Sequence, residues 1–197
     1  MQNEEIERLV SQFSRLPGMG SRSALRIVLH LLRKKHTVMS TFINSLQTVF
    51  QTSKICEVCG NIDTQSPCSI CQSSRRDRSM ICVVADIADL WSVERAGFYT
   101  GKYHVLGNKL SAVEGITPDD LNLDKLCERA AATEVKEVII ALSADLDGQT
   151  TLFFIKDRLK HINVKITTLS HGVPVGSELE YLDDGTIIAA FSQRRDV

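Results

Sequence analysis

Apolar residues in the first 50 positions recur at helical spacing. Ile6, Leu9, Val10 and Phe13 fall on one face at a 3.6-residue period, and Leu16-Pro17-Gly18-Met19-Gly20 then breaks the pattern with a proline and two glycines. A second helix is predicted to open at Ser21, a good N-cap residue. It runs through Ala24, Leu25, Val28, Leu29 and Leu32 to the basic cluster Arg33-Lys34-Lys35, which suits a helix C-terminus. A third is marked by Met39, Phe42, Ile43, Leu46, Val49 and Phe50, with Ser40 or Thr41 near its start. Between Cys56 and Cys71 the periodicity stops and Gly, Pro, Ser and Cys take over. Beyond Arg78, β-rich runs at 80–85, 103–106, 138–142, 164–168 and 187–190 alternate with helical stretches at 87–96, 118–133 and 152–161. That alternation predicts βαβ units with a mostly parallel sheet and helices on its faces.

Composition changes this picture little, and charge changes it more. A hydrophobic content of 43% is that of an ordinary globular chain. No run approaches the roughly 20 apolar residues of a membrane span, and the N-terminal MQNEEIERLV lacks the order of a signal peptide, so no membrane partner and a cytoplasmic location are expected. The net charge of −1 conceals two unlike halves: residues 1–80 carry 11 Lys and Arg against 6 Asp and Glu, and residues 81–197 carry 12 against 18. The basic half is suited to phosphates or is simply a solvated surface; the acidic half suits a protein partner or a metal.

Three places carry candidate chemistry. Cys56-x2-Cys59 and Cys68-x2-Cys71 are two knuckles that each put a thiolate pair on one side of a tight turn. Together they supply the closed tetrahedral shell of one structural zinc, with no position left for water; an iron–sulfur cluster, a redox pair or unrelated thiols are the alternatives. Cys82 and Cys127 lie outside the array and read as small buried hydrophobes. In the hairpin, Gly18 and Gly20 let the backbone approach a ligand, the next helix opens with free N–H groups, and Arg22 and Arg26 lie four apart on one face. This is either a sequence-independent phosphate grip or a tight helix connection and nothing more. Asp145 and Asp147, after a strand, are candidates for Mg²⁺ or for solvated surface. Arg75-Arg76-Asp77-Arg78 extends a basic track or is an exposed linker, and His30, His36, His104, His161 and His171 form no ligand spacing.

Taken in order, LPGMGSRSALRIVLHLL, CEVCGNIDTQSPCSIC, RRDRSMICVV, YHVLGNKLS, GITPDDLNL and HGVPVGSELEYLDDGT resemble the bacterial recombination-repair family RecR over nearly the whole chain. The resemblance implies an α+β chain of several units: a helix–hairpin–helix region (1–53), a four-cysteine zinc finger (54–79), a Rossmann-like Toprim domain (80–172) and a short C-terminal oligomerisation segment (173–197). It implies DNA contact through Arg22 and Arg26, a homodimer or ring-like homotetramer that clamps DNA, and action with RecO and RecF to load recombinase at gaps. It also implies an acidic partner face at Asp145 and Asp147, where the family's EGE turn becomes Asp147-Gly148-Gln149. Catalytic Toprim enzymes join a strand-end glutamate to a DxD pair; here those positions read Ala85, Ser143 and Asp145, with Asp86 as a partial substitute. A non-enzyme is therefore expected, against a Mg-dependent Toprim nuclease or topoisomerase, or a zinc-ribbon regulator unconnected with repair.

Overall fold

A computed structural model describes residues 3–170 and 172–194, so His171 lies outside the described residues. The chain divides into two compact units, Met1–Ser53 and Lys54–Val197.

The first unit is helical: α1 (Glu4–Ser14), α2 (Ser21–Arg33) and α3 (Ser40–Thr52). The α1 face of Ile6, Leu9, Val10 and Phe13 is partly covered, and Ala24, Val28 and Leu31 of α2 are buried. The predicted cap at Ser21 is corrected: Gly20 is the N-cap, in an extended conformation, and Ser21 is the first helical residue. Glycine can take that position without offering an oxygen of its own, so the first N–H groups of α2 stay uncapped by any side chain. A π-helical turn, Lys35–Met39, joins α2 to α3, and the Ser40 hydroxyl donates back to the His36 carbonyl (3.0 Å) in place of capping. The periodic apolar face of α3 is present, yet no α3 residue is buried.

The second unit opens with a two-stranded hairpin, β1 (Lys54–Ile55) and β2 (Ile62–Asp63), and a short α4 (Ser69–Gln72). It continues as β3 (Asp77–Val84), α5 (Ile87–Ala96), β4 (Gly101–Val105), α6 (Leu123–Ala130), β5 (Glu137–Ala141), α7 (Leu146–Leu159), β6 (Lys165–Thr168) and α8 (Asp184–Ser192). The sheet order is β4-β3-β5-β6, with every pairing parallel, as the βαβ alternation predicts. Because successive side chains of a strand point to opposite faces, β3 feeds two cores. Ile81 and Val83 pack with Val138, Ile140, Leu126, Ile155 and Leu159, while Cys82 and Val84 pack with Tyr103 and Leu90. Each such side chain contributes about 1.5–3 kcal/mol on burial.

Three expectations are corrected here. The run 187–190 is not a strand but part of α8, because the Asp183 carboxylate accepts from the Thr186 N–H (2.9 Å) and starts a helix that a four-residue apolar run cannot itself distinguish from a strand. The stretch 118–133 is not one helix: a 3₁₀ turn at Pro118–Asp120, fixed by the Asp120 side chain on the Thr117 N–H (2.8 Å), precedes α6. Finally, α7 starts at Leu146, well before the predicted 152, because Asp145 caps it.

Candidate functional site

The four cysteines converge. The ligand sulfurs of Cys56, Cys59, Cys68 and Cys71 all lie within 4.8 Å of one another, and Cys59 Sγ is 3.5 Å from Cys68 Sγ. A tetrahedral shell with Zn–S of about 2.3 Å requires edges of about 3.8 Å, so the set fits zinc as it stands. Gly60 at φ +81° turns the first knuckle; a Cβ there would stand 3.1 Å from Val105 Cβ and 3.2 Å from its carbonyl. The Cys68 N–H donates to Cys56 Sγ at 3.3 Å. Burial opposes ionisation of Cys56, but the N–H groups of Cys68, Cys59 and Val58 bring it down to about 7. Burial pushes Cys68 up to about 11, and the hydrogen bond with Cys71, joined by burial, drives Cys59 higher still. Metal must displace those protons, so binding strengthens as pH rises.

The zinc knuckles sit on the edge of the sheet. The Val105 N–H of β4 donates to the Cys59 carbonyl (2.8 Å), and the Trp91 indole of α5 donates to Asn61 Oδ1 (3.1 Å). Lys102 of β4 donates from Nζ to the carbonyls of Ile70, Cys71 and Ser73 (2.9, 2.8 and 3.1 Å).

In the helical unit, Gly18 takes φ +75°, and neither Gly18 nor Gly20 has any heavy atom within 4 Å of where a Cβ would stand. The backbone there is open to a ligand. No acidic residue occupies the first turn of α2, so the positive end of its dipole is unanswered from within the helix. Arg22 and Arg26 are exposed, and Arg26 lines a shallow groove along α2 with His30 and Arg33. Arg33 falls on the Arg22–Arg26 stripe by helical spacing. Among the described residues, none of these arginines has a carboxylate within 4 Å.

At the C-terminal ends of β3 and β5 the acidic candidates Asp86 and Asp145 are otherwise engaged, and Asp147 lies in the first turn of α7. Asp145 Oδ1 accepts from the Gly148 N–H (2.7 Å), and Oδ2 from the Lys109 ammonium (2.6 Å) and the Ser143 hydroxyl (2.9 Å). The Lys109 ammonium, the Gly148 N–H and the Ser143 hydroxyl hold that carboxyl down at about 2. Asp86 caps α5 in a reciprocal box with Asp89. Gly148 is buried, and a Cβ there would meet the Ser143 carbonyl at 2.0 Å, so this close approach requires glycine. Among the described residues, the four cysteines are the one set of three or more Cys, His, Asp or Glu close enough to hold a metal.

Residues 6–50 match the family described as RecR, helix-hairpin-helix; residues 54–73 match the RecR four-cysteine zinc finger domain; residues 79–170 match Toprim domain; and residues 172–195 match RecR, C-terminal. Curated relatives agree. A protein of Bradyrhizobium sp. strain ORS 278 called Recombination protein RecR is 54% identical over 190 residues, covering 96% of each chain. The chain belongs to the RecR family. Proteins of the same name from Nitrobacter winogradskyi (54% identical; 96% of this chain, 94% of the relative) and Parvibaculum lavamentivorans (49%; 97% and 96%) match it equally fully.

Within that RecR frame the zinc assignment holds: the four predicted ligands form one four-cysteine zinc finger. Arg76 is neither a DNA track nor a free linker, since its guanidinium pairs with Glu94 and donates to the Tyr99 carbonyl (3.1 Å). Asp86 is no substitute ligand while it caps a helix. Sequence reasoning missed Lys109, Lys102, Arg129 and His104. These four meet partners 18 to 36 residues away and carried no local signal, whereas Arg33, also missed as part of the arginine stripe, was readable from its spacing to Arg22 and Arg26.

Proposed function

We propose that this chain is a DNA-repair and recombination mediator that grips DNA phosphates through α2 and acts by assembly, with no bond-making step of its own. The observation that carries this reading is the open Gly18–Gly20 backbone leading into a helix whose Arg22, Arg26 and Arg33 stripe has no carboxylate partner among the described residues. Uncapped N–H groups and unpaired guanidinium groups both select phosphate, and neither reads a base. Binding is then independent of sequence and steeply weakened by salt. Titrating a labelled duplex at several salt concentrations tests it: Arg22→Ala with Arg26→Ala should weaken binding and flatten the salt dependence, and an unchanged curve defeats the reading.

Self-association belongs to the same proposal. Phe42, Ile43, Leu46, Val49 and Phe50 of α3 are 41, 49, 56, 62 and 84% exposed, and an amphipathic helix that leaves such a face in water is a helix awaiting a partner. A homodimer or ring-like homotetramer, with the C-terminal segment contributing Ile188 and Phe191, covers those faces and lets the arginine stripes surround DNA. RecO and RecF are the proposed protein partners, with Asp145 and Asp147 as the acidic contact and recombinase loading at gaps as the outcome. A cytoplasmic location goes with that role; among the described residues no helix is long and apolar enough to cross a membrane.

A non-catalytic Toprim domain is supported by the company Asp145 keeps. An ammonium at 2.6 Å stands where a cation would have to approach, and Ala85 and Ser143 offer no carboxylate beside it. Incubation with supercoiled plasmid and Mg²⁺ should leave the plasmid intact; nicking or relaxation that is lost in Asp145→Ala would establish the enzyme reading instead.

A further inference from the structure

Among the described residues, two cations drawn away from solvent in the second unit, Lys102 and Arg129, have no carboxylate to answer them. Lys102 is 9% exposed, and all three of its ammonium donors are spent on the neutral carbonyls of Ile70, Cys71 and Ser73. Arg129 of α6 is half-buried and donates from one terminal nitrogen to the Tyr103 carbonyl (2.7 Å) and to His104 Nδ1 (3.1 Å). Among the described residues neither forms an ion pair within 4 Å. Removing a charge from water without an opposite charge is costly, and hydrogen bonds to neutral acceptors recover only part of the cost.

The missing negative charge is in the zinc finger. Lys102 and Arg129 line one cavity together with Cys71; Arg78 and Glu134 also line it, and Glu134 pairs with neither cation. Burial lowers the pKa of Arg129, and the groups that oppose it are Cys71, Cys59, Cys56 and Cys68. Four thiolates around one divalent zinc carry a net charge of minus two. Two cations bring the assembly to neutrality. His104 cannot supply a third charge: it is fully buried, its Nε2–H donates to the Asn122 carbonyl (2.8 Å), and its Nδ1 is left to accept from Arg129. That contact also holds the guanidinium in place.

We propose that Lys102 and Arg129 are the counter-cations of the tetrathiolate zinc centre, supplied by the Toprim sheet and helix α6, so that zinc retention and Toprim stability form one linked equilibrium. The zinc finger is then not an independent module, because half of its charge balance comes from residues 102 and 129 of another domain.

The test uses the full zinc-loaded chain and a chromophoric chelator as competitor, with melting of loaded and stripped protein measured in parallel. Arg129→Met and Lys102→Met should each weaken zinc retention about tenfold, as loss of groups that support metal ligands commonly does. Arg129→Met should also narrow the gap in Tm between loaded and stripped protein. Each loss should shrink when the site itself carries less charge, in a Cys71→His background where the net charge is minus one. If Lys102→Met fails to fold, the half-buried Arg129 decides alone; if Cys71→His holds no zinc, Arg129→Lys replaces it and should restore retention. Retention within twofold of the parent, an unchanged Tm gap, or equal losses in the parent site and in the Cys71→His site would overturn the proposal.

Discussion

The two units leave apolar side chains in water alike, but they differ in what their functional cations meet. In Met1–Ser53 the arginines of α2 have no carboxylate within reach among the described residues, and the apolar face of α3 lies in water. In Lys54–Val197 the interior cations and the buried imidazole are hydrogen-bonded within the fold: Arg76 to Glu94, His104 to Asn122 and Arg129, Lys102 to three carbonyls. A fold leaves groups unanswered where something outside the chain answers them, and closes them where stability is the purpose. On the function proposed above, the first unit is the part that grips DNA and the second the part that holds the zinc finger to the Toprim sheet.

The largest way to break that contrast is to remove the zinc. Cys59→Ser, or exhaustive chelation, should unfold the knuckles and cost several kcal/mol of second-unit stability while the helical signal of α1 and α2 persists; calorimetry and circular dichroism read the two effects separately. Acid should act on the second unit next. Burial brings His104 down to about 4 from an ordinary 6.5, so the unfolded chain takes up a proton that the folded chain refuses. Stability is full above about pH 6.5 and falls as pH drops toward 4, by about 3 kcal/mol. His104→Gln should flatten that slope in a denaturant series run from pH 7 to pH 4.5.

For the first unit the expected changes are in binding, with folding retained. The Arg22→Ala, Arg26→Ala pair should leave Tm nearly unchanged and reduce the logarithmic salt slope of DNA affinity by about 2. Leu46→Asp should move the solution mass toward a monomer, read by light scattering, since a carboxylate on that face removes the reason to cover it. The smallest effect should come from Asp145→Asn, which keeps the α7 cap and loses the Lys109 charge contact: a slight fall in Tm at low salt that fades as salt rises.

Local features were legible in the sequence. The cysteine knuckles and the hairpin rest on short spacings, and the parallel sheet was legible through the short local runs whose alternation betrays βαβ units. What escaped depended on distance or on competing local bonds. Asp145 looked like the end of a strand because its role as a cap needs Gly148 to pass within a bond's reach of Ser143, which no periodicity encodes. Ile187 to Ala190 carried too few residues to tell a period of 2 from one of 3.6, and Asp183 decided the matter. Lys102, Arg129 and Lys109 have no partner near them in sequence; only the fold that brings β4, α6 and the ends of β4 and β5 together carries them to their partners.

The bond from the Val105 N–H to the Cys59 carbonyl has a consequence for solubility. β4 is an outer strand, and that carbonyl stands where a further strand would hydrogen-bond. The opposite border, β6, presents Lys165 to water, a charge that discourages pairing with another chain. β4 is buried at all five positions, and its one lysine, Lys102, is turned into the carbonyls of Ile70, Cys71 and Ser73. Oxidation of the cysteines would therefore strip the cover from an unpaired strand edge, and turbidity in peroxide-treated protein should grow with zinc release, making the metal a guard against aggregation.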